Sequence, residues 1–116
     1  MLATMTIPTP GRIVLYTLAK QDADTINTRR SDAKRQAEQG PQATGFIVHS
    51  GNSVTEGDIY PLVITKVWSP NNPTAAVNGQ LLLDGNDTFW VMSACAGEGP
   101  RTFIWPHPGP VALPES

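Results

Sequence analysis

The sequence is poor in several things that would each announce a function. It has a single cysteine, Cys95, so it cannot form an internal disulfide, and its cysteine usage fits a reducing compartment. Charged residues make up only 16% and balance to a net charge of -2, which argues against a domain held to nucleic acid by phosphate contacts. No apolar run approaches the roughly 20 residues that span a bilayer. The opening residues have neither the basic nor the apolar region of a secretory signal. The expectation is a protein of the cytoplasm with no membrane partner.

The familiar motifs of chemistry are missing as well. No Gly-x-Ser-x-Gly elbow occurs, and Gly97-Glu98-Gly99 carries neither the lysine nor the helix start of a phosphate loop. His49, His107 and Cys95 lack the paired spacing of a zinc site. Asp84, Asn86 and Asp87 are close enough for a hard cation but lack an EF-hand's length and bidentate Glu, so they are read as bonding turn amides. Cys95, at the end of an apolar strand, is read as a buried, inert thiol. Glu56, Asp58 and Glu98 have no spacing that makes them a catalytic pair. No metal, no cofactor and no enzyme activity are expected.

What is present is a pattern of turns. Ten glycines and eleven prolines among 116 residues favour short strands over long helices. The clearest element is a hairpin over 77–93, two apolar runs joined by Asp84-Gly85-Asn86-Asp87, whose residues tolerate the positive φ of a tight primed turn. Arg12 to Leu18 reads as a strand apolar on both faces, and so covered on both. Over 21–39, Ala23, Ile26, Ala33 and Ala37 fall on one helical stripe, with Asp22 and Asp24 in the first turn and Gly40-Pro41 as the stop. The Arg29, Arg30, Lys34 and Arg35 cluster is read as a solvated face rather than a phosphate site, because acidic residues interleave. A short strand over 44–49, a turn at 56–58, a strand over 59–68 and a last strand over 101–105 complete the order. Pro61 cannot donate to a ladder, so it marks an edge, a strand start or a bulge.

This order predicts one mainly β domain of α+β composition, a small SH3-like barrel over 11–106 with an inserted surface helix. An open sandwich or an α+β roll is the competing arrangement. Residues 1–10 and 107–116 read as flexible, proline-containing arms.

The aromatics carry most of the functional signal. Trp68, Trp90 and Trp105 end or interrupt three different strands. Phe89 and Trp90 are adjacent, so one of them faces out of the barrel. The exposed one is read as covered by the helix, the tail, a second subunit or a ligand.

Gly11-Arg12-Ile13-Val14-Leu15-Tyr16, Gln21 to Arg30, Glu56-Gly57-Asp58-Ile59-Tyr60-Pro61, Val77-Asn78-Gly79-Gln80 and Leu83-Asp84-Gly85-Asn86-Asp87 form a further pattern, continued by Gly51-Asn52, Trp90, Gly97-Glu98-Gly99-Pro100 and Trp105-Pro106. It resembles a family of small bacteriophage and prophage proteins that has no assigned activity. The likeness runs from Gly11 to Pro106 outside the loop 69–74, and Asp-Gly-Asn-Asp is its most specific part. The resemblance implies a phage origin and no residue roles.

The resulting expectation is a non-enzymatic, phage-encoded binding module acting in the host cytoplasm, and forming a homo-oligomer. It would occupy a host protein or sequester a small, nucleotide-like defence signal. Its site would be Trp68, Trp90 and Trp105 for packing, with Asn78, Asn86, Asp87 and Arg101 for polar contacts, Arg101 near Trp105 taking a phosphate or carboxylate. The alternative is a structural or assembly part of the virion.

Overall fold

A computed structural model describes residues 6–39 and 51–107. The strand expected over 44–49, and with it His49, lies outside these residues, as do the outer parts of both arms. The elements are β1 (Ile13–Thr17), α1 (Lys20–Gln39), β2 (Ile59–Val67), β3 (Val77–Leu82), β4 (Thr88–Ala96) and β5 (Thr102–Ile104). The strands close in the order β1-β2-β3-β4-β5, β5 returning to β1, in a small SH3-like barrel with the helix inserted after the first strand. All neighbours are antiparallel except β4 and β5, which run parallel and pair only at Cys95–Thr102 and Ala96–Phe103.

Strand alternation fills the inside. Val14 and Tyr16 of β1, Leu62 and Ile64 of β2, Val77 and Leu81 of β3, Val91 and Ala94 of β4 and Phe103 of β5 are all buried in one core. Ala23 and Ile26 of α1 join it, and burying the Ile26 side chain contributes about 1.5–3 kcal/mol. The inward stripe of the helix ends there: Ala33, expected on it, is exposed, and Arg30 is buried in its place. At the helix start Asp22 reaches back to the Ala19 N–H at 3.1 Å, satisfying one of the donors a first turn leaves open. Pro8 is also buried, and the Gly11 N–H donates to the Ile64 carbonyl, so the inner end of the N-terminal arm is fastened rather than flexible. Pro61 lies one residue before the β2–β3 ladder begins at Leu62, where a missing donor costs nothing. Gly57, in the turn expected before β2, takes φ +91°.

Two expectations about the hairpin change. Its last pair is Leu82–Thr88, so the connection has five residues rather than a two-residue primed turn at its centre, and none of Asp84 to Asp87 has positive φ. The loop is shaped by the helix instead, through Asp87. The second change lies at Asn78, where the ladders to both β2 and β4 slip register. On β4, Met92 and Ser93 together oppose Asn78, and Ser93 takes a left-handed φ of 56°. That extra residue reverses the alternation beyond it: Ala94 turns inward and Cys95 turns out, exposed rather than buried.

Candidate functional site

The parallel β4–β5 pairing is short, and this opens the barrel wall. Residues 88–91 of β4 pair with β3 on one side, and among the described residues no strand pairs with 88–92 on the other. The first turns of α1 and the Arg101 corner stand opposite that edge. Between them runs a cleft of about 250 Å³ lined by Tyr16, Gln21, Asp22, Thr25, Phe89, Trp90, Val91, Met92 and Arg101. Among the described residues a larger hollow of about 640 Å³ is lined only by α1, from Asp24 to Gln36, and gathers no side chains from the barrel strands. The cleft is the better candidate because β1, α1, β4 and the turn that carries Arg101 converge on it.

Each wall has a physical reason for its position. On the β4 side, Trp90 and Met92 are 53% and 56% exposed, while Phe89 and Val91, on either side of Trp90, turn toward the core. On the other side, the Tyr16 hydroxyl donates to Asp22 Oδ2 at 2.6 Å, so this carboxylate already serves the phenol and the Ala19 N–H. Burial first, and the Asp22 carboxylate second, push the Tyr16 phenol far above its ordinary range, with the Arg101 guanidinium opposing. Arg101 itself holds φ 66°, a left-handed backbone unusual for a side chain of this size, pinned by its N–H donating to the Thr17 carbonyl at 2.9 Å. No carboxylate among the described residues lies within ion-pair distance of it.

The seven residues expected to form one site separate into four places. Trp90 and Arg101 line the cleft together. Trp105, just past β5, packs edge-on to Phe103, and the cation over its ring is Arg12 at 4.7 Å rather than Arg101. Trp68, after β2, lies under Lys66 and donates its Nε1–H to Asn78 Oδ1 at 3.0 Å. Asn78 is buried, and the same oxygen accepts the Ser93 N–H at 2.9 Å, so its side chain is consumed in holding the bulge.

Asn86 and Asp87 occupy the hairpin loop. Asn86 is exposed, while Asp87 is taken by the helix. Arg30 donates from Nε to Asp87 Oδ2 and from Nη2 to Oδ1, at 3.0 and 2.9 Å, and from Nη1 to the Asn52 carbonyl. Arg29 adds a 3.0 Å bond to Asp87 and a 2.8 Å bond to the Thr88 carbonyl, its guanidinium lying over Phe89. The Arg30 guanidinium, then Arg29, hold the Asp87 carboxyl down at about 2 against the opposing effect of burial. Two of the cations read as a solvated face are therefore the clamp between helix and hairpin. Tyr16, Gln21, Asp22, Thr25 and Met92 were not anticipated in the site. Only Met92 left a signal, two residues along the same strand face from Trp90.

The outer surface of the barrel adds to the cleft. Reading the registers across, Ile13, Val63, Gln80 and Trp90 lie side by side on β1 to β4, and Ile104, Leu15 and Pro61 form the next row. Ile13, Ile59, Leu82 and Ile104 are exposed on this side. The outer face of β1 was expected to be covered, and it is not: Ile13 is exposed and Leu15 half-buried. Among the described residues no three His, Cys, Asp or Glu side chains group to hold a metal, and no helix is long and apolar enough to cross a membrane. Comparison with known proteins gives no match to a family model, a curated protein or a solved structure.

Proposed function

We propose that the chain is a small, phage-encoded binding module that carries out no reaction and works by occupying a host protein. The observation that carries this reading is the apolar outer face: a barrel whose inside is already full still presents Ile13, Ile59, Leu82, Trp90, Met92 and Ile104 to solvent. Exposed apolar side chains on the outside of the strands, with an aromatic anchor beside a cleft, are what a partner's hot spot requires. The phage setting comes from the resemblance in the sequence, and the host cytoplasm follows from it. A second reading, capture of a small nucleotide-like signal, is favoured by Trp90 and Arg101 lining one cleft, an aromatic face beside a guanidinium.

The test is crosslinking in host cells with wild type and with Trp90→Glu, followed by light scattering and a melting-temperature panel of nucleotides on the purified protein. A discrete host-protein adduct that Trp90→Glu abolishes supports the proposal. A melting temperature raised only by nucleotides favours the second reading. Large, concentration-dependent assemblies of the protein alone, or its presence in purified particles, would instead favour a virion component or a homo-oligomer built through the same face.

A further inference from the structure

The free edge of β4 has a definite polarity, which one hydrogen bond reveals. Arg29 donates to the Thr88 carbonyl from the helix side, so this carbonyl points into the cleft and away from β3. In an extended strand the N–H and C=O of one residue share a side, and the sides alternate along the chain. The main-chain groups of Trp90 and Met92 therefore also point into the cleft, while those of Phe89 and Val91 pair with β3. The Ser93 N–H closes the pattern by pointing back to Asn78 Oδ1. Thr88 has its partner in Arg29. For Trp90 and Met92 neither α1 nor β5 supplies a hydrogen bond.

A row of unpaired main-chain groups is a template for another strand, and folds normally cover, twist or charge such an edge. Among the described residues Arg29 reaches this edge only at Thr88 and the bulge lies beyond Val91, so neither occupies the main chain of Trp90 or Met92. The two residues whose backbone faces the cleft also carry exposed side chains, one aromatic and one the most adaptable of the apolar residues. Arg101 stands on the opposite wall. The one carboxylate beside it in the cleft, Asp22, is engaged by Tyr16 and Ala19.

We propose that this cleft is a strand-addition site: an extended segment of a protein partner pairs with the main chain of Trp90 and Met92 and sets an Asp or Glu side chain against Arg101. The inference rests on the protein-binding reading above and specifies how the partner is held. Main-chain hydrogen bonds give such a mode its affinity, and alternate side chains give it specificity. The segment's inward residues lie along Phe89 and Val91, its outward residues beside Trp90 and Met92. The requirement for an acid follows from charge: a guanidinium facing a partly enclosed cleft favours a carboxylate that it can grip with two parallel bonds. A helix would leave the β4 groups unpaired, and a basic segment would meet Arg101 with like charge.

The experiment selects binders from a displayed library of random decapeptides with amidated C-termini, using the full chain as bait. The expected enriched peptides contain β-branched residues at alternate positions and one acidic residue. N-methylation of the alternate amides that face β4 should weaken binding at least tenfold, while N-methylation of the other set should leave it within about twofold. Arg101→Gln should weaken the acidic peptides about tenfold and not their Asn or Gln counterparts. Arg101 is exposed, so the variant keeps its fold, and an unchanged melting curve checks this. Enriched peptides that tolerate N-methylation of either set, that are helical when bound, or that ignore Arg101→Gln would overturn the proposal, as would the absence of any enriched peptide. A host-protein adduct lost in Ile13→Glu but intact in Arg101→Gln would overturn strand addition while leaving the binding module in place.

Discussion

Arg30 and Asp87, separated by 57 residues in sequence, hold each other through two parallel hydrogen bonds of 2.9 and 3.0 Å between the middle of the helix and the loop of the central hairpin. The arginine is 8% exposed and the aspartate 25%. This fork joins the inserted helix to the barrel and fixes the height at which the helix overlooks β4. The cleft exists because the helix is held there, close enough to form a wall and too far from Trp90 and Met92 to pair with them.

Removing one partner of the fork leaves the other stranded. Asp87→Asn should cost about 2–3 kcal/mol, toward the lower side of what breaking a fully buried pair costs, because solvent reaches the carboxylate. Urea denaturation of the variant against wild type measures it. Arg29→Gln, whose bonds are exposed, should cost less than about 1 kcal/mol.

The same pair predicts an acid response. The folded Asp87 titrates at about 2, against 3.8 for the unfolded residue. A depressed carboxylate stabilises the fold above the unfolded value, and that contribution is lost as pH falls through the folded one. Stability should therefore decline by about 1–2 kcal/mol from this group between pH 4 and pH 2, after discounting for its exposure. Asp87→Asn should remove that part of the slope. Denaturation midpoints at a series of pH values check it.

Gly85 is required by closeness and not by backbone angle. A Cβ built on it would lie 2.8 Å from the Gly51 Cα and 3.0 Å from both Arg30 Nη2 and Asp87 Oδ1. Gly85→Val should cost about 1–3 kcal/mol by overpacking at the fork. Gly57→Ala, with open space around it but φ +91°, should cost about 1–2 kcal/mol through strain alone. In combination with Asp87→Asn the Gly85 change should be less than additive, whereas the Gly57 change should add, which a double-mutant cycle reads directly.

Asn78 should tolerate no apolar replacement. Asn78→Leu removes the acceptor of the part-buried Ser93 N–H and frees the Trp68 indole, at a cost of about 1–3 kcal/mol. Loss of the bulge should also shift the Trp68 emission, which a fluorescence spectrum records.

Much of the architecture was legible from alternation and turn residues. Arg12 to Leu18, Ile59 to Trp68 and the two arms of the hairpin have side chains that only a pleated, half-buried surface accommodates well, and α1 spans Lys20–Gln39 with the expected Asp22 in its first turn, although its last turn holds no basic residue. What sequence could not supply was anything depending on a second element. Arg30 looks solvated until Asp87 is beside it. Cys95 looks inward until the bulge at Ser93 is counted, and nothing local to Ser93 announces that bulge. Asp84-Gly85-Asn86-Asp87 has the chemistry of a tight turn, but its conformation is decided by Arg30. Trp90 and Arg101 were both legible as candidates. Their meeting across a gap in the barrel depends on β5 pairing with β4 at two positions only, a tertiary fact.

Amide hydrogen exchange along β4 tests the central claim most directly. In the isolated protein the Trp90 and Met92 amides should exchange at least a hundredfold faster than those of Phe89 and Val91, and a selected acidic decapeptide should slow the Trp90 and Met92 amides alone. Equal protection of all four amides before any peptide is added would mean that the edge is already paired, and would contradict an open strand waiting for a partner.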